Sequence, residues 1–198
     1  LGLDLRNYQK LHRNIVFATR AVFNSSIGAD KVLYRLGGME NWIAPSINES
    51  NIENSDYIDY KLQTSANNLR GFSLNEQKGN SYFILNNEIR IPIVSYVYRR
   101  SIRSNFLKNI FVVPFFDIGA SWSGNSPWSL ENPNNVITYN YDIYTIKVRA
   151  ARNPLLYSTG FGLRTKVLGY LLKYDYGVGY KDNKSQGGVH HFSIGVDF

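Results

Sequence analysis

The final eleven residues, Gly188-Val-His-His-Phe-Ser-Ile-Gly-Val-Asp-Phe198, split by parity into two chemistries. Phe192, Ile194, Val196 and Phe198 fall on one face of an extended chain; His191, Ser193, Gly195 and Asp197 fall on the other. Side chains alternate between the two faces of a strand, so this stretch is a strand with one apolar side and one polar side. Two settings suit such a strand. One is the edge of a soluble sheet; the other is a barrel wall with lipid outside and water inside.

Period-two alternation runs through most of the chain and helical periodicity is nearly absent, which predicts an all-β fold. Seven strands are expected, at about 1–9, 14–27, 80–93, 105–122, 154–166, 169–180 and 189–198. The first sets Leu1, Leu3 and Leu5 against Asp4, Arg6 and Tyr8. The fourth sets Phe116, Ile118, Ala120 and Trp122 against Phe115, Asp117, Gly119 and Ser121. Long polar stretches separate some of them, at 28–79 and 123–153, while 10–13 and 167–168 are short turns and 181–187 is a medium connector.

Two regularities separate the settings. The polar parities carry glycines and charges, among them Asp4, Arg6, Arg20, Glu88, Arg90, Asp117, Arg164, Lys173, Asp175 and Asp197. A sandwich buries its apolar parity and leaves charges in bulk water; a wide membrane barrel turns the apolar parity to lipid and the charges to a hydrated lumen. Connector lengths also alternate between short and long, as they do when short periplasmic turns face long outer loops. Both favour the barrel, with the last strand ending on the periplasmic side. Seven strands do not close one, because single-chain bacterial barrels use even numbers from eight upward and an open edge in lipid leaves backbone groups unsatisfied. The chain is therefore expected to be the C-terminal part of a larger barrel whose other strands precede Leu1. An exported protein needs a signal peptide, so Leu1 is expected to follow either processing or a longer N-terminal region.

Composition excludes other classes. Apolar residues make up 43% of the chain, too many for disorder, and no run of eighteen apolar residues offers a transmembrane helix. Tyr, Phe and Trp reach 15% of residues, the types that form the girdles of membrane barrels. The net charge of +7 comes from cations scattered singly along strands and turns, which argues against nucleic acid; the one cluster, Arg99-Arg100-Ser-Ile-Arg103, fits a solvated turn. There is no cysteine, and of the three histidines His190 and His191 point to opposite faces of one strand, so neither a metal site nor a cofactor is expected.

One constellation carries more specific information. Asn67-Asn68-Leu69-Arg70-Gly71-Phe72 lies in the long approach to the third strand, downstream of Tyr34-Arg35-Leu36-Gly37-Gly38. Asn87-Glu88-Ile89-Arg90-Ile91-Pro92 follows, and the fourth strand carries Phe115-Phe116-Asp117-Ile118-Gly119. An arginine carried into a lumen needs a carboxylate, and the guanidinium–carboxylate pair is bidentate and directional. Glu88 and Asp117 sit on the polar parity of adjacent strands, where both can meet Arg70. Gly71 permits a tight bend at the loop tip, and Phe72 supplies an apolar anchor.

In this order the four motifs resemble the BamA superfamily of outer-membrane insertases and translocators, also called the bacterial surface-antigen barrels. The resemblance covers nearly the whole chain and implies the last seven strands of a sixteen-stranded transmembrane barrel in the bacterial outer membrane. It also implies an inward-folded Leu-Arg-Gly-Phe loop whose Arg70 latches onto Glu88 and Asp117, the latter in a Phe-x-Asp-x-Gly motif. The terminal aromatic, Phe198, resembles the signal by which such barrels are recognised for insertion. The segment between Gly38 and Leu69, with Asn41-Trp42 and the acidic run 49–59, departs from the compact members. The extended pattern Asp4-Leu-Arg-Asn-Tyr8, Leu36-Gly-Gly-Met-Glu-Asn-Trp42, Arg70-Gly-Phe-Ser-Leu-Asn75 and Gly169-Tyr170 is similar to long Bacteroidota envelope proteins that fuse a TolB-like propeller to such a barrel.

The resemblance implies a non-enzymatic role in inserting or translocating outer-membrane proteins. The partners would be the lipid bilayer and nascent outer-membrane proteins, whose strands add by edge pairing at a weak seam beside the last strand. Gly187, Gly188 and Gly195 could loosen that seam, and equally fit a turn and a close-packed lumen position. The alternative is a barrel that anchors a larger cell-envelope complex, with other subunits as partners. Some relatives carry a lipase-like domain, but no Gly-x-Ser-x-Gly elbow occurs here, so no catalytic residue is expected.

Overall fold

The computed structural model describes residues 1–28, 30–49, 62–66, 68–98, 104–129, 132–140, 145–149 and 153–195. It is all-β, and its body is one seven-stranded antiparallel sheet. In spatial order the strands are β1 (Gly2–His12), β2 (Ile15–Ser25), β6 (Ser81–Arg90), β7 (Phe111–Trp122), β10 (Leu156–Val167), β11 (Tyr170–Lys181) and β12 (Lys184–Gly195). A three-stranded sheet joins β3 (Val32–Leu36) to β4 (Leu62–Ala66) and β5 (Gln77–Gly79), and β8 (Val136–Asn140) pairs with β9 (Thr145–Arg149). Among the described residues no helix is long and apolar enough to cross a membrane, which says nothing about crossing by strands.

The register sorts the seven strands into two faces of opposite chemistry. Rows such as Leu163–Tyr174–Phe192 and Leu3–Phe23–Phe83 run across the outer face. Leu3, Leu5, Phe116, Phe161 and Phe192 there are between 43% and 57% exposed. Thr19 and Asn87 interrupt this face and satisfy each other, with the Thr19 hydroxyl donating to Asn87 Oδ1 at 3.1 Å. The inner face is the opposite: Asn86, Glu88, Asp117, Ser158, Arg164, Asp175, His191 and Ser193 are all buried. Water-soluble domains put their charges outside and their aromatics inside; this sheet does the reverse.

What buries the inner face is the β2–β6 connection. Leu36 of β3, Ala66 of β4, and Leu69 and Phe72 of the following loop pack on Val22, Tyr82, Ile84 and Leu156 from β2, β6 and β10. Tyr34 packs edge-on against Tyr82, ring centroids 4.9 Å apart. Among the described residues the apolar core thus forms between a folded-in connection and one end of the inner face.

Several boundaries differ from those expected. The stretch 28–79 is not simply a polar loop: it holds β3 to β5, strands of five, five and three residues that are too short to show a period. The fourth strand begins at Phe111 rather than 105, because Ser104 caps a helical turn, Asn105–Lys108, by accepting from Leu107 N–H. A second helical turn, Ile93–Val97, starts where the third strand was expected to end, so the 91–110 connection is longer than the alternating rhythm requires. The loop 123–153 contains the β8–β9 hairpin. The expected medium connector 181–187 is a two-residue turn: Asp182 and Asn183 both have positive φ, +52° and +59°, as a type I′ hairpin demands. β12 therefore starts at Lys184, five residues early, with an irregular register opposite Val178 and Tyr180 that accommodates Gly187 at φ +91°. Of the terminal signal, Phe192 and Ile194 lie on the outer face at 43% and 40% exposure, whereas Val196 and Phe198 fall outside the described residues. So do the cluster at 99–103 and residues 50–59 of the acidic run.

Candidate functional site

Arg70 enters the inner face on the loop after β4 and is 3% exposed. Its Nε donates to Asp117 Oδ2 at 2.7 Å and its Nη2 to Asp117 Oδ1 at 2.7 Å, a bidentate fork. Its Nη1 donates to Glu88 Oε2 at 2.9 Å and lies 3.9 Å from Asp175 Oδ1. The guanidinium carbon stands 3.8 Å from the Phe115 ring centroid, so the cation also rests on an aromatic face. Burial works against the charge, but Asp117, Glu88 and Asp175 outweigh it and hold the guanidinium proton above its ordinary affinity.

Two further arginines complete the network. Arg90 Nε donates to Glu88 Oε1 at 2.7 Å, and Arg164 Nη1 to Asp175 Oδ1 at 2.8 Å. Three cations thus meet three carboxylates in a region where Glu88, Asp117 and Asp175 are fully buried. Paired in this way the charges are tolerable; any one alone would not be. Every carboxylate is engaged by an arginine, and among the described residues no group of three or more His, Cys, Asp or Glu could hold a metal ion.

The loop tip is held by close backbone approach. Gly71 has φ +79°, and its N–H donates to His191 Nε2 at 2.9 Å, which requires the tautomer protonated at Nδ1. A Cβ on Gly177 would stand 2.8 Å from Gly71 N, and one on Gly179 2.7 Å from the Phe72 ring, so β11 offers a notch only glycine can line. Phe72 is 2% exposed. Gly177→Ala is expected to push the tip out of the notch and cost about 1–3 kcal/mol, the usual range for overpacking. Thermal unfolding of the purified protein, with protease cleavage at the tip as a second readout, checks this.

All five residues expected to form the latch, Arg70, Gly71, Phe72, Glu88 and Asp117, come together. Asp175, Arg164, His191 and the Gly177–Gly179 notch were not assigned to it from sequence. A signal existed, since Asp175 and Arg164 lie on the same polar parity as Asp117, and His191 faces opposite Phe192. Comparison with protein-family models, with curated proteins and with solved structures finds no match to this chain.

Proposed function

We propose that this chain is the C-terminal seven strands of a sixteen-stranded outer-membrane barrel of the BamA superfamily, which assists insertion or translocation of other outer-membrane proteins without chemical catalysis. The observation that carries this reading is the inverted sheet: an apolar outer face left exposed and an inner face where five charges, Arg70, Glu88, Asp117, Arg164 and Asp175, are paired and buried. In lipid the exposed face would be covered, and the inner face would line the lumen. The Arg70 loop then serves as a latch that fixes the long connection against the wall. The outer edges of β1 and β12, the latter met among the described residues by a single rung at Trp42 and Ile43, suit continuation by further strands.

A second reading has its own support. The β3–β5 sheet and the 68–76 loop fill the inner face, which suits a membrane anchor for a larger envelope complex as well as a conduit. Depletion of the protein separates the two. An insertase or translocator predicts a fall in several unrelated outer-membrane proteins; loss of only one associated complex would leave the anchor role.

A further inference from the structure

The β1–β2, β6–β7 and β10–β11 connections lie at one end of the seven-stranded sheet, and there the inner face holds a cavity of about 510 Å³. That size suits a small ligand. Val16, Phe111, Val113 and Leu171 give it apolar walls, while Arg90, Arg164 and Lys166 bring charge; among the described residues no carboxylate lines it. The register makes these residues neighbours. Val16 lies opposite Arg90, Phe111 opposite Arg164, and Leu171 opposite Lys166. All seven belong to strands paired on both sides, so the site does not depend on either outer edge of the sheet.

The buried network leaves donors over at this cavity. Its three arginines balance its three carboxylates, and Lys166, which is exposed, adds a cation that pairs with no carboxylate among the described residues. Arg164 gives Nη1 to Asp175 at 2.8 Å, but its Nη2 stands 3.8 Å from Glu88 Oε2, beyond hydrogen-bond reach. With only 7% of that side chain exposed, the cavity is the space in which Nη2 can find an acceptor. Arginine and lysine donate and never accept. A ligand held here must therefore bring acceptor oxygens at one end and apolar surface along the rest. A peptide also brings backbone N–H groups, for which the side chains lining the cavity offer acceptors only on Tyr8 and Asn109. An acyl chain makes no such demand.

We propose that this cavity binds a small anionic amphiphile, a carboxylate or phosphate head on a single acyl chain. The head meets Arg164 Nη2 and Lys166, and the chain lies along Val16, Phe111, Val113 and Leu171. Charge-assisted hydrogen bonds hold the head, and burial of apolar surface holds the chain. The site needs the inner face alone and not a lipid-covered outer one.

The probe is decanoic acid carrying a mid-chain diazirine, cross-linked by light to the full chain in non-ionic micelles and located by mass spectrometry. Label at positions 111–113 and 171 should fall to about a fifth or less in about tenfold excess of plain decanoate. Decanol, which keeps the chain and drops the charge, and acetate, which keeps the head alone, should leave it in place. Label at Phe161 and Phe192 on the exposed outer face reports simple partitioning and should respond to none of the three. Lys166→Glu reverses an exposed charge outside the latch. It should lower the inner-face label about five- to tenfold, with the outer-face label and the urea midpoint unchanged. Octyl phosphate in place of decanoate separates the two heads, and the stronger competitor names the one the site takes. Competition by decanol equal to that by decanoate, or full inner-face label in Lys166→Glu, overturns the proposal. So does a tri-leucine peptide that displaces the probe better than decanoate does. Membrane fractionation of the same protein is an independent readout. Decanoate-sensitive label in a chain that does not enter membranes would sustain the cavity and remove the barrel; a membrane-embedded chain without that label would do the opposite.

Discussion

Arg70→Ala will unfold this chain more readily than any other single truncation on the inner face. The substitution removes the two side-chain donors of Arg70 to Asp117 and one to Glu88, carboxylates with no exposed side-chain surface. Breaking a buried pair by deleting one partner costs about 3–5 kcal/mol, because the other charge is left uncompensated. Arg70→Lys keeps the charge but not the fork, so it should recover only part of that loss. The decisive comparison is Arg70→Ala combined with Asp117→Asn. Removing the orphaned charge should recover a substantial share of the stability, giving a coupling of about 0.5–3 kcal/mol in the double-mutant cycle. Urea denaturation followed by intrinsic tryptophan fluorescence measures each value. Added salt should change them little, since buried pairs are screened far less than surface ones. A silent Arg70→Ala would mean that Leu69-Arg70-Gly71-Phe72 is a surface turn and not a latch.

The parts of this fold that a reader of sequence can recover are those governed by period two. Strand β11 alternates most cleanly, and the polar parity of β6, β7 and β10 faces inward as the positions of Glu88, Asp117 and Arg164 require. Local turn chemistry was harder. Gly187-Gly188 advertises a turn more loudly than Asp182-Asn183 does, yet the hairpin closes at the latter and the glycines sit at the irregularity. Leu62–Ala66 has three polar residues between its apolar ends and is held as a strand by β3, a non-local partner that no local pattern announces. Parity alone turns Asp175 and His191 inward, but their neighbours, like that of Trp42, are set by register, which places Asp175 opposite His191 and Trp42 opposite Ser193.

His191 accepts from Gly71 on the loop tip and its ring contacts Trp42, so two separate stretches of the β2–β6 connection share a support on β12.

Phe161→Arg decides what covers the outer face. Phe161 lies midway along β10, is 54% exposed, and neighbours Tyr176 and Pro114 in the register. If the face meets water, exchanging an exposed phenylalanine for arginine should shift stability by no more than about 0.5 kcal/mol, as surface substitutions do. If it meets lipid, the same exchange should cost about 2–4 kcal/mol, because a cation near the bilayer midplane loses its hydration. Leu168→Arg provides the internal control. Leu168 is 95% exposed at the β10–β11 turn, where a barrel strand would leave the bilayer, so its penalty should fall to about 0–1 kcal/mol. Folding yield into lipid vesicles, titrated with urea for both variants, measures the difference. A large penalty at 161 beside a small one at 168 is a depth profile, and depth has meaning only across a membrane. Equal, small penalties at both positions would remove the barrel reading while leaving the paired inner face as it stands.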